Sequence, residues 1–182
     1  MRFAITMLLQ SLASSRQLML DSVRDLSAEE LVSRPSPALR SCVRLLGMTA
    51  LADHEVLRLL GVADLPDLPA GFEARFGRWK TGGNGELSRY DTSLPEIFAS
   101  HRNALVRATA SLDAARLDEP VGPRDHLDAE GLFEFGTVGE MILAASAYTS
   151  SLAGEVSIVR VALGKVPVYD PFDASAALAP RE

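Results

Sequence analysis

The stretch 137-TVGEMILAASAYTSSLAGEVSIVRVAL-163 decides the fold, because its pattern predicts one long amphipathic helix. Thr137 and Glu140 have the spacing of a capping box, in which a hydroxyl and a carboxylate bond the free N–H groups at a helix start. Gly164 stands where a C′ glycine belongs, and Pro167 prevents the helix from resuming. Between these ends, apolar residues recur at spacings of three and four and form one inward stripe. The stripe consists of Val138, Met141, Ala145, Tyr148, Leu152, Val156, Val159 and Leu163.

The same periodicity predicts three further long helices, over residues 3–26, 41–61 and 93–116. Ser41 is suited to cap the second of them, and Ser93 with Glu96 repeats the capping-box pattern at the start of the third. A short helical turn is expected at Ser27, which forms another such box with Glu30. The inward positions are Ile5, Leu8, Leu12, Ser15, Met19, Ser22 and Leu26, then Leu45, Met48, Ala52, Val56 and Leu59, then Leu94, Ile97, His101, Leu105, Ala108 and Leu112.

Four long helices with no alternating strand pattern predict an all-α fold, a four-helix bundle over residues 1–166. The connections 62–92 and 117–136 are rich in proline and glycine, and the first contains the single tryptophan, Trp79. Residues 167–182 are expected to form an irregular C-terminal tail.

Composition excludes several classes of protein. With 182 residues, 47% of them hydrophobic, the chain can bury a core without disulfides or structural metal. A net charge of −6 argues against nucleic acid as a partner. The lone Cys42 favours a reducing cytoplasm, and we expect it to be a buried structural thiol rather than a reactive one. No uninterrupted apolar run reaches the roughly 20 residues of a membrane span, and residues 2–15 predict a helix rather than a secretory signal.

Taken in order, several segments resemble the DinB-like (DinB/YfiT) superfamily of metal-dependent four-helix proteins. They are LSAEELVSRPSP (26–37), SCVRLLGM (41–48), SLPEIFASHRNAL (93–105), TVGEMIL (137–143) and AGEVSIVRVALGKVP (153–167). The resemblance implies three histidines that bind nickel or zinc. Here the corresponding positions are Met48, Tyr148 and Leu152, and the family's Gly-Gln-Ile is Gly154-Glu155-Val156.

A thioether, a phenol and an isobutyl group do not replace imidazoles as ligands of zinc or nickel. We therefore expect Met48, Leu152 and the ring of Tyr148 to pack in a core without metal, with the Tyr148 hydroxyl bonded to a partner, and no cofactor to be needed. A second interpretation keeps part of the pocket, lined by Met48, His101, Tyr148 and Leu152, with the Tyr148 hydroxyl as its polar group. The leading functional hypothesis is a non-catalytic protein that binds a small apolar or amphipathic molecule or acts as a homodimer.

The rival hypothesis is an enzyme with a relocated site. His101 lies on the inward stripe of the third helix, where we expect a core histidine bonded to a neighbour. Near Tyr148 and Glu155, or Glu140, it would instead serve as a general base or a ligand for nickel or zinc. Family members with intact histidines include or resemble thiol-dependent S-transferases, and an S-transferase or hydrolase is the alternative activity here.

Two other runs combine histidine with acidic residues. Asp53, His54 and Glu55 point about 100° apart on a helix, so they cannot share one ion, and we expect a solvated face. The second run, which we expect to be a solvated acidic loop, contains Asp125, His126, Asp128 and Glu130. The chain has no P-loop, dinucleotide fingerprint, GxSxG or HExxH motif.

Overall fold

A computed structural model describes residues 2–77, 87–90, 92–121 and 135–168. Within these ranges the chain forms seven α-helices and a 3₁₀ turn at Ser88–Tyr90. The helices are α1 Arg2–Val23, α2 Ala28–Val32, α3 Cys42–Leu59, α4 Phe72–Phe76, α5 Leu94–Ala110, α6 Ala114–Asp118 and α7 Val138–Ala162. The described ranges contain one isolated β-bridge, between Pro120 and Thr137, and no strand. The prediction of an all-α fold is confirmed.

The four long helices α1, α3, α5 and α7 pack side by side. Helix α1 contacts α7 and α5, and α3 contacts the same two helices. The first and last helices run in the same direction, because Ser11 bonds Ser146 near their starts and Asp25 bonds Arg160 near their ends. Apolar residues from all four helices fill two adjoining core clusters.

Most of the predicted helix ends are confirmed. Both bonds of the capping box are present at Ser27 and at Thr137, and the Ser41 hydroxyl accepts a hydrogen bond from the Arg44 N–H. Gly61 and Gly164 have φ of 74° and 78°, the left-handed conformation typical of a glycine after a helix.

The third long helix differs from its prediction at both ends. Ser93 has a helical backbone and makes no side-chain cap; its hydroxyl points toward the Tyr90 carbonyl, at 3.4 Å. The predicted capping box there is therefore wrong. The helix also ends at Ala110, and Asp113 caps the separate α6 through the Arg116 N–H. A short polar side chain that captures free N–H groups favours a new helix start over continuation.

Helix α4 packs on α3 by means of a glycine. A Cβ atom at Gly47 would lie 2.1 Å from the Phe76 ring, so a larger residue here would push α4 away. Phe76 in turn meets Phe72 and Tyr90, with ring centroids 4.5 Å and 5.2 Å away. This aromatic group anchors part of the 62–92 connection on the core; Trp79 lies outside the described residues.

A polar contact lies at the centre of the four helices. Arg102 on α5 and Asp53 on α3 are both 0% exposed and form a two-pronged ion pair, with N–O distances of 2.7 and 2.8 Å. The Arg102 guanidinium also donates to Ser15 of α1, at 3.0 Å, and to Thr149 of α7, at 2.5 Å. One side chain thus bonds to each of the other three long helices.

The expectation of a solvated face at residues 53–55 is wrong for Asp53. The predicted inward position was the neighbouring Ala52, which is only partly buried, while Asp53 and Leu57 are fully buried. A hydrophobicity pattern does not count an aspartate as a core residue, and its partner Arg102 is 49 residues away in the chain.

Helix α7 is long and apolar enough, by length and composition, to cross a membrane. The helix is not an uninterrupted apolar run, because Glu155 and Arg160 lie within it. Of its apolar window, 44% is buried inside the protein, and the core helix of a soluble protein has the same length and composition.

Candidate functional site

The three positions that correspond to the family's metal ligands all meet the same apolar cluster. Met48 is 6% exposed and Leu152 is 3% exposed, and Tyr148 is half-buried against that cluster. Their helices, α3 and α7, pack directly against each other. Met48 and Leu152 therefore pack as core residues in the structure, and Tyr148 lies at the edge of the core.

An arginine just before α3 covers this region. The Arg40 guanidinium donates two hydrogen bonds to the Glu155 carboxylate, one of them at 2.8 Å from Nε, and its Nη1 lies 3.3 Å from the Met48 sulfur. The hydrogen bonds to Glu155 favour the charged guanidinium and therefore raise the pKa of Arg40 above its usual value. The site thus holds a fixed cation that belongs to the chain itself.

A second arginine strengthens the positive charge beside Tyr148. Arg44 is nearly buried and donates to the carbonyls of Arg75, at 2.7 Å, and Gly77, at 3.2 Å. Burial, together with the nearby Arg40, lowers its pKa. The Tyr148 phenol lies within electrostatic range of both guanidinium groups. Sequence reasoning missed both arginines, because Arg40 precedes the segment 41–48 and Arg44, which lies within it, is not one of the three ligand positions.

His101 lies apart from these contacts, at the interface of α3 and α5. It is 0% exposed, and its Nδ1–H donates to the Ile97 carbonyl at 2.8 Å. Its Nε2 lies 3.2 Å from Nδ1 of the half-buried His54. Burial, the first cause, lowers the pKa of His101, while the bond to Ile97 opposes that shift.

The structure brings together only part of the predicted site. Met48 and Glu155 share the Arg40 guanidinium, next to Tyr148 and Leu152, whereas the hydrogen bonds of His101 go to Ile97 and His54. Glu140 caps the start of α7, about 22 Å from Glu155 along the helix. Among the described residues, no three histidine, cysteine, aspartate or glutamate side chains converge on one point. Residues 125–130 lie outside the described ranges.

An open cleft of about 550 Å³ lies at the C-terminal end of α1. Its apolar lining includes Leu20, Val23 and Leu31, and Asp21 and Arg24 supply charge. It adjoins α2 and the start of α5. None of the predicted pocket residues lines it, so it is a separate candidate for a small amphipathic ligand.

Cys42 has the surroundings of an inert thiol. It is 0% exposed, and burial raises its pKa from 9.0 to about 12. Desolvation of the thiolate therefore outweighs any benefit from its place in the first turn of α3.

We predict that Cys42 reacts very slowly with Ellman's reagent at pH 8 while the protein is folded. A pKa raised from 9.0 to about 12 reduces the thiolate fraction about a thousandfold, and burial also blocks access. The comparison is with the same protein in guanidinium chloride and with N-acetylcysteine. Equal rates in the folded and unfolded protein would show that the thiol is accessible and ionisable.

No family model, no curated protein and no solved structure matches the chain.

Proposed function

We propose that the chain is a non-catalytic DinB-like protein, in which the Arg40 guanidinium takes the place of the family's metal ion, and that it acts as a homodimer. The single observation that carries the first part is the contact of Arg40 with Glu155 and the Met48 sulfur. A fixed positive charge repels a divalent cation, and the repulsion is strong where the surroundings are partly buried. A metal ion would also have to remove Glu155 from its bidentate partner.

The proposed dimer surface is the outer face formed by α1 and α7, which lie side by side. Large apolar side chains are exposed at both of its ends: Phe3 (76%), Met7 (47%), Leu143 (53%), Ile158 (56%) and Val161 (57%). Between Leu143 and Ile158, the exposed positions of α7 carry small residues, which are Ala147, Ser150, Ser151 and Gly154. Small residues allow two helices to approach closely, and the large ones contribute buried apolar area. We call this outer face of α1 and α7 the dimer face.

Charge supports a second copy of this chain as the occupant of the dimer face. Within residues 141–161, the charged residues are Glu155 and Arg160, which are half-buried and buried. The α7 half of the dimer face therefore offers a charged partner no exposed complementary group, whereas an uncharged surface with both small and large side chains fits its own copy around a two-fold axis.

The size of the dimer face is adequate. Helix α7 has 25 residues and is about 37 Å long, and two neighbouring helices are about 20 Å wide. The projected area is about 700 Å² per copy, close to the roughly 800 Å² per partner of standard stable interfaces.

We place the dimer in the cytoplasm, without nucleic acid as a partner, and assign a small amphipathic ligand to the 550 Å³ cleft.

We predict that replacing Gly154 by arginine turns a dimer into a monomer. Among the described residues, no atom outside the adjacent backbone of α7 lies within 4 Å of a Cβ built at Gly154, so we expect the folded monomer to tolerate the change, but the side chain would place a charge in the dimer face. Light scattering after size exclusion should give twice 19.5 kDa for the wild type and 19.5 kDa for the variant.

Asn103→Glu is the matched control, because Asn103 is exposed on α5, away from the dimer face. It should remain dimeric. A monomeric wild type at tens of micromolar, or a dimer unaffected by Gly154→Arg, contradicts the proposed interface.

We predict that the affinity of the wild-type protein for nickel or zinc does not depend on Tyr148 or Glu155. In Arg40→Met, the affinity for either ion should rise only by the amount that removal of one positive charge accounts for. The measurement is equilibrium dialysis with untagged protein, followed by metal analysis. Stoichiometric metal that is lost in both Tyr148→Phe and Glu155→Gln would contradict the replacement of the metal by Arg40.

A further inference from the structure

Two histidine rings meet inside the interface of α3 and α5. The ring centroids of His54 and His101 are 5.3 Å apart, and Nδ1 of His54 lies 3.2 Å from Nε2 of His101. His101 is 0% exposed, whereas His54 is half-buried. Asp53 immediately precedes His54, and Arg102 immediately follows His101. The two rings therefore join α3 to α5 directly beside the central ion pair.

The positions of the protons in this contact follow from the other hydrogen bond of His101. Its Nδ1 lies 2.8 Å from the Ile97 carbonyl oxygen, which can only accept, so Nδ1 carries a proton. In the neutral ring, Nε2 then has a lone pair and no proton. The bond between the rings is therefore a donation from Nδ1–H of His54 to Nε2 of His101. The neutral pair holds one proton between the two rings.

The closed contact accommodates one added proton but not two. The nitrogen that takes part in neither bond is Nε2 of His54, and a proton there turns the bond to His101 into a charge-assisted one. A second proton can go only to Nε2 of His101, the atom that accepts this bond. Two N–H groups would then point at each other across 3.2 Å, and two positive rings would lie 5.3 Å apart in a largely buried place.

The charged groups on the neighbouring elements do not offset a second proton. The carboxylate of Asp53 already accepts from Arg102 with both of its oxygens. The other charged groups on α3 after His54 and on the connection to α4 are bonded to each other or exposed, and they are Glu55 with Arg58, Asp64 and Asp67.

The pKa of His101 moves in the direction that this proton count requires. Burial, the largest cause, and the neighbouring His54 lower it, while the carbonyls of Ile97 and Pro66 and the charge of Asp53 oppose the shift. The stability that the neutral ring contributes is therefore complete above the pKa of an unfolded histidine, about 6.5, and is lost as the pH falls below that value.

From the geometry of the two rings we propose that His54 and His101 form a pH-sensitive latch between α3 and α5, which is closed with no added proton or one and is opened by the second. Opening separates the two helices at the point where each also carries one member of the central ion pair. This inference is independent of the proposed function, because neither Arg40 nor the dimer face takes part.

Nitrogen-15 NMR of the imidazole rings, in full-length protein labelled at histidine, tests the proton positions directly. At pH 7.5 both His54 and His101 should be neutral with the proton on Nδ1. At pH 5.5 His54 should be charged while His101 is still neutral. A proton on Nε2 of His101 at pH 7.5, or a His101 ring that becomes charged at the same pH as His54, would overturn the proposal.

Chemical denaturation at pH 7.5 and 5.5 tests the effect on the fold. Between these two values, the unfolding equilibrium constant of the wild type should rise about tenfold more than that of His101→Gln, because the folded wild type excludes one proton that its unfolded chain binds. His126→Gln is the matched control, since it removes the third histidine of the chain and should keep the wild-type rise.

Equal rises in the wild type and His101→Gln, or a rise that is lost in His126→Gln, would contradict the latch. Circular dichroism at pH 7.5 checks that His101→Gln is folded. If it is not, the NMR measurement on the wild type decides the question alone, because it needs no substitution at His54 or His101.

Discussion

The ion pair between Arg102 and Asp53 sets the arrangement of the long helices. Both side chains are completely buried, and burial alone raises the pKa of Asp53 while Arg102 opposes that rise. Two buried charges cost several kcal/mol each to desolvate, so the pair is tolerated only where the remaining polar groups are satisfied. Ser15 and Thr149 supply those partners from α1 and α7. A shift of any one long helix by a turn would separate the guanidinium from at least one partner, so the contact fixes their register as well as their proximity.

The local features of the fold could be predicted from the sequence, because their causes are local. A hydroxyl three residues before a carboxylate caps a helix at Thr137 wherever the rest of the chain lies, and a left-handed glycine ends one at Gly164. The central ion pair could not be predicted in this way. Periodicity treats arginine and aspartate as surface residues, and only the packed structure brings together Arg102 and Asp53. The capping box predicted at Ser93 is absent for a similar reason, because the structure around Ser93 is not visible in the local pattern. Ser93 follows a 3₁₀ turn and has a helical backbone.

In the candidate site, too, some features could be predicted from the sequence and others depend on the packing of distant residues. The sequence indicated that Met48, Tyr148 and Leu152 would pack in the core. Met48 and Leu152 do, whereas Tyr148 is only half-buried against it. It gave no sign of Arg40, which comes from the connection before α3 and meets Glu155 115 residues later. His101 was expected to bond to a neighbour, but its contact with His54 needed the relative rotation of α3 and α5. That rotation is set one residue away on each helix, by Asp53 and Arg102, so the central ion pair also positions the two imidazoles.

A double-mutant cycle on Arg102 and Asp53 tests most directly whether this pair governs the packing. Chemical denaturation should show that Arg102→Met or Asp53→Leu alone costs about 3–5 kcal/mol, because each leaves a buried charge without its partner. The double variant should recover most of that loss, since Ser15 and Thr149 retain bonds to the Leu12 and Ala145 carbonyls. Arg107→Met, at an exposed position of α5, should change stability by less than about 0.5 kcal/mol. Single losses below about 1 kcal/mol, or losses that simply add in the double variant, would contradict the account.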